Sequence, residues 1–273
     1  MTRPATDSRH YIVAFELHSV GDCPLDFELP DSLAGFEAGL FLPGDDPDWF
    51  GRSAYPPRVL LVEGGALAIV SHPSAGESPH HWAMTEISAV ESGHMLLKGW
   101  LRFTGADFDY TARYNTRGVP SVWQFMRRFR IEWLPEARPL DARNVHLGAR
   151  LDIKFANALE RELDSPEAVQ LQVFQPPEVS RKRRLAGDLL ALTDRRLLWI
   201  TDRENGFRSR YGSIASYAPL DAVSHVAIAS DSLRVDLRGG PEWQMPVAPA
   251  YLGAAEELAN FVTTSIRSGA NLI

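Results

Sequence analysis

The sequence has a single cysteine, Cys23, among its 273 residues. One cysteine excludes an internal disulfide and any zinc site built from cysteine ligands. The sequence also lacks an uninterrupted run of about eighteen apolar residues, so we expect no membrane-spanning helix. Residues 1–20 lack the apolar core and cleavage site of a secretory signal. Together these absences lead us to expect a cytoplasmic protein.

A net positive charge is also missing. The chain has 28 basic and 35 acidic side chains, which give a formal net charge of −7. Most of the excess acid lies in residues 1–135, which carry 11 basic and 17 acidic side chains. Non-specific binding to nucleic acid requires a basic surface that displaces counterions. We therefore expect no nucleic-acid partner.

The motifs of common catalytic and cofactor sites are absent too. The sequence has no GxSxG, no GxxxxGK[ST], no GxGxxG behind a strand and no HExxH. Cys23 has no basic neighbour in the sequence that would lower the pKa of its thiol. His225 lies in an apolar strand, where we expect a half-buried structural residue. We predict no catalytic residue, no cofactor and no metal.

Three histidines in SHPSAGESPHH are the best candidates for metal ligands. His72, His80 and His81 have no partner carboxylate at a helical or hairpin spacing, and the stretch has the Pro, Gly and Ser content of a loop. A solvated loop is therefore the preferred interpretation. The acidic stretches DDPD (45–48) and DSPE (164–167) are expected to cap or follow a helix.

Short apolar runs bounded by polar residues predict antiparallel strands, and apolar stripes predict two helices. In LLALTDRRLLWITD (189–202), two such runs flank Thr193-Asp194-Arg195, which is predicted to be a turn. Helices are predicted over 120–133 and about 250–267, each near a proline. The predicted strands are 58–62, 66–71, 80–84, 95–103 and 108–114 in the first half and 189–192, 196–200, 207–212, 222–229, 233–239 and 242–247 in the second.

The two halves of the chain also share short sequences in the same order. FEAGLFLPGDDPD (36–48) aligns without a gap on FANALERELDSPE (155–167), at an offset of 119 residues. PPRV (56–59) and PPEV (176–179) follow at an offset of 120. Further on, WAMTEISAV resembles YAPLDAVSHV. An ordered series of matches indicates a tandem duplication.

The second half resembles bacterial pleckstrin-homology-like (PH-like) domains, close in pattern to GRAM domains. In these families a G-x-L-x-L-T-(D/N)-x-R-L hairpin is followed by a P-L-x-x-I/V step, and residues 187–197 and 219–223 match both. The likeness covers about 170–267 directly. It covers about 36–133 through the internal repeat, where Glu63-Gly64-Gly65 replaces the Thr-Asp-x-Arg turn.

This resemblance implies a mainly β (α+β) chain of two PH-like domains. Each is expected to be a bent antiparallel sheet or open barrel of seven strands, capped by a C-terminal helix. Residues 1–137 are predicted to be a divergent copy and residues 138–273 a typical copy. The polar segment 135–150, which contains two prolines, is predicted to be the linker.

A basic cluster, SRKRR (180–184), precedes the typical hairpin. PH domains that bind phosphoinositides use basic residues near this loop, so the resemblance makes the cluster a candidate ligand-binding surface, with arginines of the neighbouring hairpins added to it. A charged edge strand that discourages aggregation is the preferred alternative, because acidic residues flank the run. The candidate residues are Arg181, Lys182, Arg183, Arg184, Arg195, Arg196, Arg208 and Arg210.

The sequence therefore favours a non-enzymatic binding or scaffolding protein whose partners are proteins. One alternative is a peripheral membrane protein that binds anionic phospholipid through the basic cluster, which the acidic net charge disfavours. Another alternative is an enzyme with a site between the repeats, which no motif supports. Self-association of the chain is left open.

Overall fold

The chain forms a mainly β structure. The computed structural model describes residues 7–8, 11–33, 35–44, 55–95, 98–137, 145–164, 167–179, 184–204, 207–208 and 212–270. These ranges contain three α-helices: α1 (Val119–Trp133), α2 (Ile153–Glu162) and α3 (Leu252–Ala270). Within them, no helix is long and apolar enough to cross a membrane.

Strands account for most of the remaining regular structure. In the first half of the chain they are β1 (Phe15–Leu17), β2 (Ala38–Leu42), β3 (Arg58–Glu63), β4 (Ala66–Ser71), β5 (His80–Ala83), β6 (Ala89–Met95), β7 (Lys98–Thr104) and β8 (Asp109–Asn115). In the second half they are β9 (Val145–Gly148), β10 (Val169–Gln175), β11 (Glu178–Val179), β12 (Arg184–Leu185), β13 (Asp188–Thr193), β14 (Arg196–Thr201), β15 (Arg203–Glu204), β16 (Phe207–Arg208), β17 (Gly212–Pro219), β18 (Val223–Ala229), β19 (Ser232–Leu237) and β20 (Trp243–Pro246). Short 3-10 turns lie at Val20–Asp22, Asp31–Leu33, Pro73–Ala75, Met84–Glu86, Thr116–Gly118 and Pro249–Tyr251.

The described residues group into two units. The first unit takes its residues from Met1–Glu86, His94–Leu101 and Thr111–Trp133. The second takes them from Ile87–Gly93, Arg102–Tyr110 and Leu134–Ile273. The division into PH-like domains at residues 137 and 138 stays a prediction.

The first unit is built on a five-stranded antiparallel sheet in the order β1-β2-β3-β4-β5. Its core contains Leu17, Phe41, Val59 and Leu61, all buried. α1 lies against β1 and β2. The apolar stripe of the helix provides this contact, and its fully covered side chains are Val122, Phe125, Met126 and Phe129.

The second unit is built on an eight-stranded sheet in the order β8-β7-β6-β17-β14-β13-β10-β9. Residues 87–93 and 102–110 bring parts of β6, β7 and β8 into this unit. From β10 to β17 neighbouring strands are antiparallel, whereas β9 is parallel to β10. A separate sheet has the order β18-β19-β20, and α3 packs on β18 and β10. The helix contributes Ala255, Leu258 and Val262 to the core.

When β1, β9, α2 and the two-residue strands are left out, the remaining elements follow the same order in both halves, which is four antiparallel strands, three further strands and then a helix. In the first half these are β2 to β5, β6 to β8 and α1, and in the second β10, β13, β14, β17, β18 to β20 and α3. The central hairpins match in length. Arg58 and Ala66 begin the strands of the first hairpin, and Asp188 and Arg196, each 130 residues later, begin those of the second.

The sequence alignment at an offset of 119 residues does not match equivalent elements. Within the aligned segments, Ala38–Leu42 forms the strand β2, whereas Ile153–Glu162 forms the helix α2. Their apolar patterns explain the difference. β2 is buried along its whole length, whereas α2 buries Phe155, Ala158 and Leu159 at helical spacing. The identical residues therefore align a buried strand with an amphipathic helix.

Other parts of the sequence prediction also need correction. Val145–Gly148, in the predicted linker, forms β9 and pairs with β10. The predicted strand 95–103 is β7, and a separate strand, β6, precedes it. The predicted strand 207–212 is divided between β16 and the start of β17. β10 was not predicted, although VQLQVFQ has the alternation of a strand.

The two hairpin turns and the two long helices are confirmed. Gly64 and Gly65 have φ of 55° and 74°, which are the left-handed values that a two-residue hairpin turn requires. Asp194-Arg195 joins β13 to β14 as the second turn. The predicted apolar faces of α1 and α3 are buried in the unit to which each helix belongs.

Replacing Leu258 by Ala should lower the free energy of unfolding by about 2–5 kcal/mol, because it leaves a cavity beneath α3. Urea denaturation of the full chain measures this change. Glu257→Ala, at an exposed position of the same helix, is the matched control and should have a small effect. Equal midpoints for Leu258→Ala and wild type would contradict the docking of α3.

Candidate functional site

The predicted basic surface is only partly within the described residues. Arg181, Lys182, Arg183 and Arg210 lie outside them. Two others have a described backbone, since Arg184 begins β12 and Arg208 ends β16. Ligand binding by these six residues stays a prediction. The remaining two candidates, Arg195 and Arg196, are described in full and have structural partners.

Arg196 is fully buried, so its guanidinium does not lie on a ligand-binding surface. It donates from Nε and Nη2 to the two carboxylate oxygens of Glu167, at 2.8 and 2.5 Å. Nη2 also donates to the carbonyl oxygen of Glu162, at 2.6 Å, and the guanidinium carbon lies 5.2 Å from the centre of the Tyr217 ring. This bidentate geometry joins β14 to the segment that follows α2.

The turn before Arg196 belongs to the same network. The Thr193 hydroxyl donates to Glu167 at 2.6 Å and accepts from the backbone N–H groups of Arg195 and Arg196. The Arg195 side chain donates to the backbone carbonyls of Leu134 and Pro135, at 3.0 and 2.8 Å. Arg196 is therefore engaged within the unit, and the expectation that it adds to a free basic surface is wrong. Arg195 is half-buried, and ligand binding by Arg195 stays a prediction.

Buried polar groups extend this network to α2 and β17. Tyr217 donates its hydroxyl to Glu162 at 2.6 Å. Arg161 donates from Nε to the same carboxylate at 2.9 Å and from Nη2 to the Ser213 hydroxyl at 3.3 Å. Asp152 accepts from the N–H of Phe155 and caps the start of α2. The polar positions of α2 thus hold the helix on β14 and β17.

The histidines of the SHPSAGESPHH stretch have defined positions in the first unit. His72 accepts from the backbone N–H of Ser74 at Nδ1, and its Nε2 lies 3.0 Å from Asp26. Since Nδ1 is an acceptor, Nε2 carries the proton that Asp26 accepts. His80 and His81 lie in β5, and the His80 ring stacks on Trp82. Residues 72–79 therefore form the mostly exposed loop that the composition predicts, whereas His80 and His81 belong to the strand predicted over 80–84.

The structure also locates two further titratable candidates, Cys23 and His225. Cys23 is buried, and burial raises the pKa of its thiol to about 12, which disfavours the reactive thiolate. His225 is exposed rather than half-buried. The described ranges contain no group of three or more His, Cys, Asp or Glu side chains arranged to hold a metal ion. Asp164 and Glu167 follow α2 as predicted, whereas 165–166 and 45–48 lie outside the described residues.

A buried carboxylate fixes one aromatic side chain of the second unit. Asp188 is fully buried at the start of β13, and its Oδ1 accepts from the indole N–H of Trp199 at 3.0 Å. Burial raises the pKa of Asp188 to about 6, although Arg203, 3.5 Å away, favours the charged form. The hydrogen bond sets the orientation of the indole on β14.

Trp199 lines a cleft of about 280 Å³ whose lining residues all belong to the second unit. The floor is one face of the sheet across β7, β6, β17 and β14. The wall is the start of β20 and the residues before it. The lining residues are Ala89, Val90, Glu91, Arg102, Thr104, Trp199, Ser216, Pro241, Glu242, Trp243 and Gln244.

Aromatic and charged groups dominate the chemistry of this cleft. The Trp199 and Trp243 ring centres are 6.2 Å apart, with 48° between the ring planes. Arg102 donates to both carboxylate oxygens of Asp109, at 2.7 and 2.6 Å. Glu242 lies 3.0 Å from Arg234. Such a surface suits noncovalent binding of a polar or planar group.

The sequence prediction missed the cleft. Its residues come from positions more than 100 apart in the chain, so no local motif marks them. Only the sheet order β7-β6-β17-β14 brings Glu91 and Trp199 into the same cleft, and this order is not encoded in any single strand. Comparison with family models, curated protein sequences and solved structures gives no significant match to this chain.

Removing the Glu167 carboxylate should destabilise the protein strongly, because Arg196 would keep its buried charge without its bidentate partner. We expect Glu167→Ala to lower the free energy of unfolding by about 3–5 kcal/mol in urea denaturation. Asp109→Ala is the matched control, since it removes an exposed bidentate pair and should cost about 0–1 kcal/mol. A loss for Glu167→Ala no larger than that of the control would show that the buried pair is dispensable.

Asp188→Asn should change how stability depends on pH. The raised pKa means that folded Asp188 binds its proton more tightly than the unfolded chain does, so its contribution to stability falls as pH rises from about 4 to about 6. Relative to wild type, the Asn variant should gain about 3 kcal/mol between pH 4 and pH 7. The stability of Asp109→Asn relative to wild type should instead fall as pH rises, because the hydrogen bond from Arg102 lowers the pKa of Asp109. Parallel pH profiles for wild type and Asp188→Asn would refute this assignment.

Proposed function

We propose that this chain is a non-enzymatic binding or scaffolding protein of the cytoplasm, built from two PH-like domains over residues 1–137 and 138–273. One observation carries the proposal, namely the same order of elements in both halves. Seven strands followed by a terminal helix are what the resemblance to PH-like domains implies. The second half adds the matching Gly187–Leu197 hairpin.

Structural use of the polar motif residues supports a binding role over a catalytic one. Arg196 and Glu167 neutralise each other in the interior, and the Thr193 hydroxyl supports the turn between β13 and β14. The Cys23 thiol is held in its neutral form by burial. Because these groups stabilise the folded chain, the cleft beside Trp199 is the better candidate for contact with another molecule.

A protein partner is favoured over an anionic lipid by the distribution of charge. Two arginines expected to reach a lipid headgroup, Arg195 and Arg196, are engaged with Leu134, Pro135 and Glu167. The chain carries a net charge of −7, which an anionic membrane surface repels. The mixed aromatic and polar lining of the cleft is typical of surfaces that recognise other proteins.

Affinity capture with the tagged full chain tests the proposal. A lysate of the native host should yield a protein that binds in a constant ratio and is displaced by an excess of untagged chain. The displacement step separates a saturable partner from material that adheres non-specifically. If no displaceable protein is recovered from cells that express the chain, the proposed function is wrong.

The lipid alternative predicts a different result. We expect no measurable co-sedimentation of the protein with vesicles of anionic phospholipid at physiological salt. Each cation of the basic cluster contributes about 1 kcal/mol of attraction to the membrane surface, and the net negative charge of the chain opposes this attraction. Neutral vesicles are the control for non-specific pelleting. Co-sedimentation that is lost on changing Arg181, Lys182, Arg183 and Arg184 to Gln would make lipid binding the preferred function.

A further inference from the structure

The cleft of the second unit has a marked chemical preference. Its size, about 280 Å³, lies near the lower end of ordinary ligand pockets, so it accommodates one long side chain or a small molecule rather than a folded element. Its floor is set by sheet pairing, since Trp199 and Ser216 are opposed on β14 and β17. A site on paired strands holds its groups in fixed positions.

The two indole rings provide the apolar part of the site. Trp199 directs its N–H to the buried Asp188, so the polar end of this ring is already used within the protein. What the ring offers a ligand is its π system, with Trp243 6.2 Å away. The face of an indole ring attracts cations more strongly than the ring of any other aromatic side chain does.

The charges around the cleft also favour a cation. Two carboxylates, Glu91 and Glu242, line it together with one guanidinium, that of Arg102. Arg102 is held by both oxygens of Asp109. Arg234, beside the cleft, donates to Asp236 at 2.7 Å and lies 3.0 Å from Glu242. These four carboxylates and two guanidinium groups have a formal net charge of −2.

We propose that the cleft binds an arginine side chain presented by a protein partner, an inference that rests on the binding function proposed above. Arginine fits because its planar guanidinium stacks on aromatic rings and donates to carboxylates in a fixed geometry. The guanidinium lies beside the Trp199 and Trp243 rings and donates to Glu242 or Glu91. An anionic group would meet an excess of negative charge there and is excluded by the same electrostatics.

The probe is the peptide acetyl-Gly-Arg-Gly-amide, with a citrulline peptide of the same shape as the neutral control. Both are titrated at millimolar concentration into the full chain carrying ¹⁵N-labelled tryptophan, because a single side chain binds weakly. The indole N–H resonances are assigned with Trp199→Phe and Trp243→Phe. The arginine peptide should shift the Trp199 and Trp243 resonances in a saturable manner, and the citrulline peptide should not.

Charge-removing variants complete the test. Glu242→Gln should weaken binding of the arginine peptide about tenfold, as expected for the loss of a charge-assisted hydrogen bond. Glu257→Gln, on the exposed face of α3, removes one charge away from the cleft and should leave the affinity unchanged. Equal shifts with the citrulline peptide, no shift with either peptide, or equal affinity in Glu242→Gln would overturn the inference.

The outcome is distinguishable from failure of the proposed function. A captured partner that binds Glu242→Gln and wild type equally would refute arginine recognition in the cleft and leave the binding function in place. If capture yields no displaceable protein, the binding function itself is wrong. A partner that is retained by Glu257→Gln and lost from Glu242→Gln would support both.

Discussion

The buried ion pair between Arg196 and Glu167 is the constraint on which the second unit depends. Burying a guanidinium is costly unless its charge is balanced and its N–H groups are bonded. Glu167 supplies the balancing charge, and the Glu162 carbonyl supplies a further acceptor. Because these acceptors lie at the end of α2 and just after it, the helix position and the start of β14 are fixed by one interaction.

The side of β14 that faces away from this ion pair is the side that meets the cleft. Successive residues of a strand point to opposite faces, so Arg196 and Trp199 lie on different faces of the sheet. Asp188, opposite Thr201 in the register, shares the Trp199 face and holds the indole. Two buried acidic partners therefore fix one strand from both faces, and this rigidity is what a recognition surface requires.

The sequence predicted most of those elements whose pattern is local. The hairpin strands appeared as short apolar runs, the Gly64-Gly65 turn as a pair of residues that tolerate positive φ, and both long helices as apolar stripes. Residue identity with 36–48 is a poor guide to the structure of 155–167, because the spacing of the apolar residues decides the secondary structure. Phe155, Ala158 and Leu159 have helical spacing, which a residue-by-residue alignment with β2 ignores.

The site was less predictable, because its residues are joined by pairing between distant strands. The sequence Thr-Asp-Arg-Arg does not reveal whether its second arginine faces solvent or a carboxylate. The position of Glu167, 29 residues earlier in the chain, determines that Arg196 is buried in an ion pair. Arginine is common to both cases because its fork of donors suits buried carboxylates and external ligands alike. The structure separates these uses. It places Arg196 with a carboxylate of its own chain, and an arginine from outside would, in our proposal, meet a cleft whose Glu242 carboxylate lies 3.0 Å from the exposed Arg234 rather than in the interior.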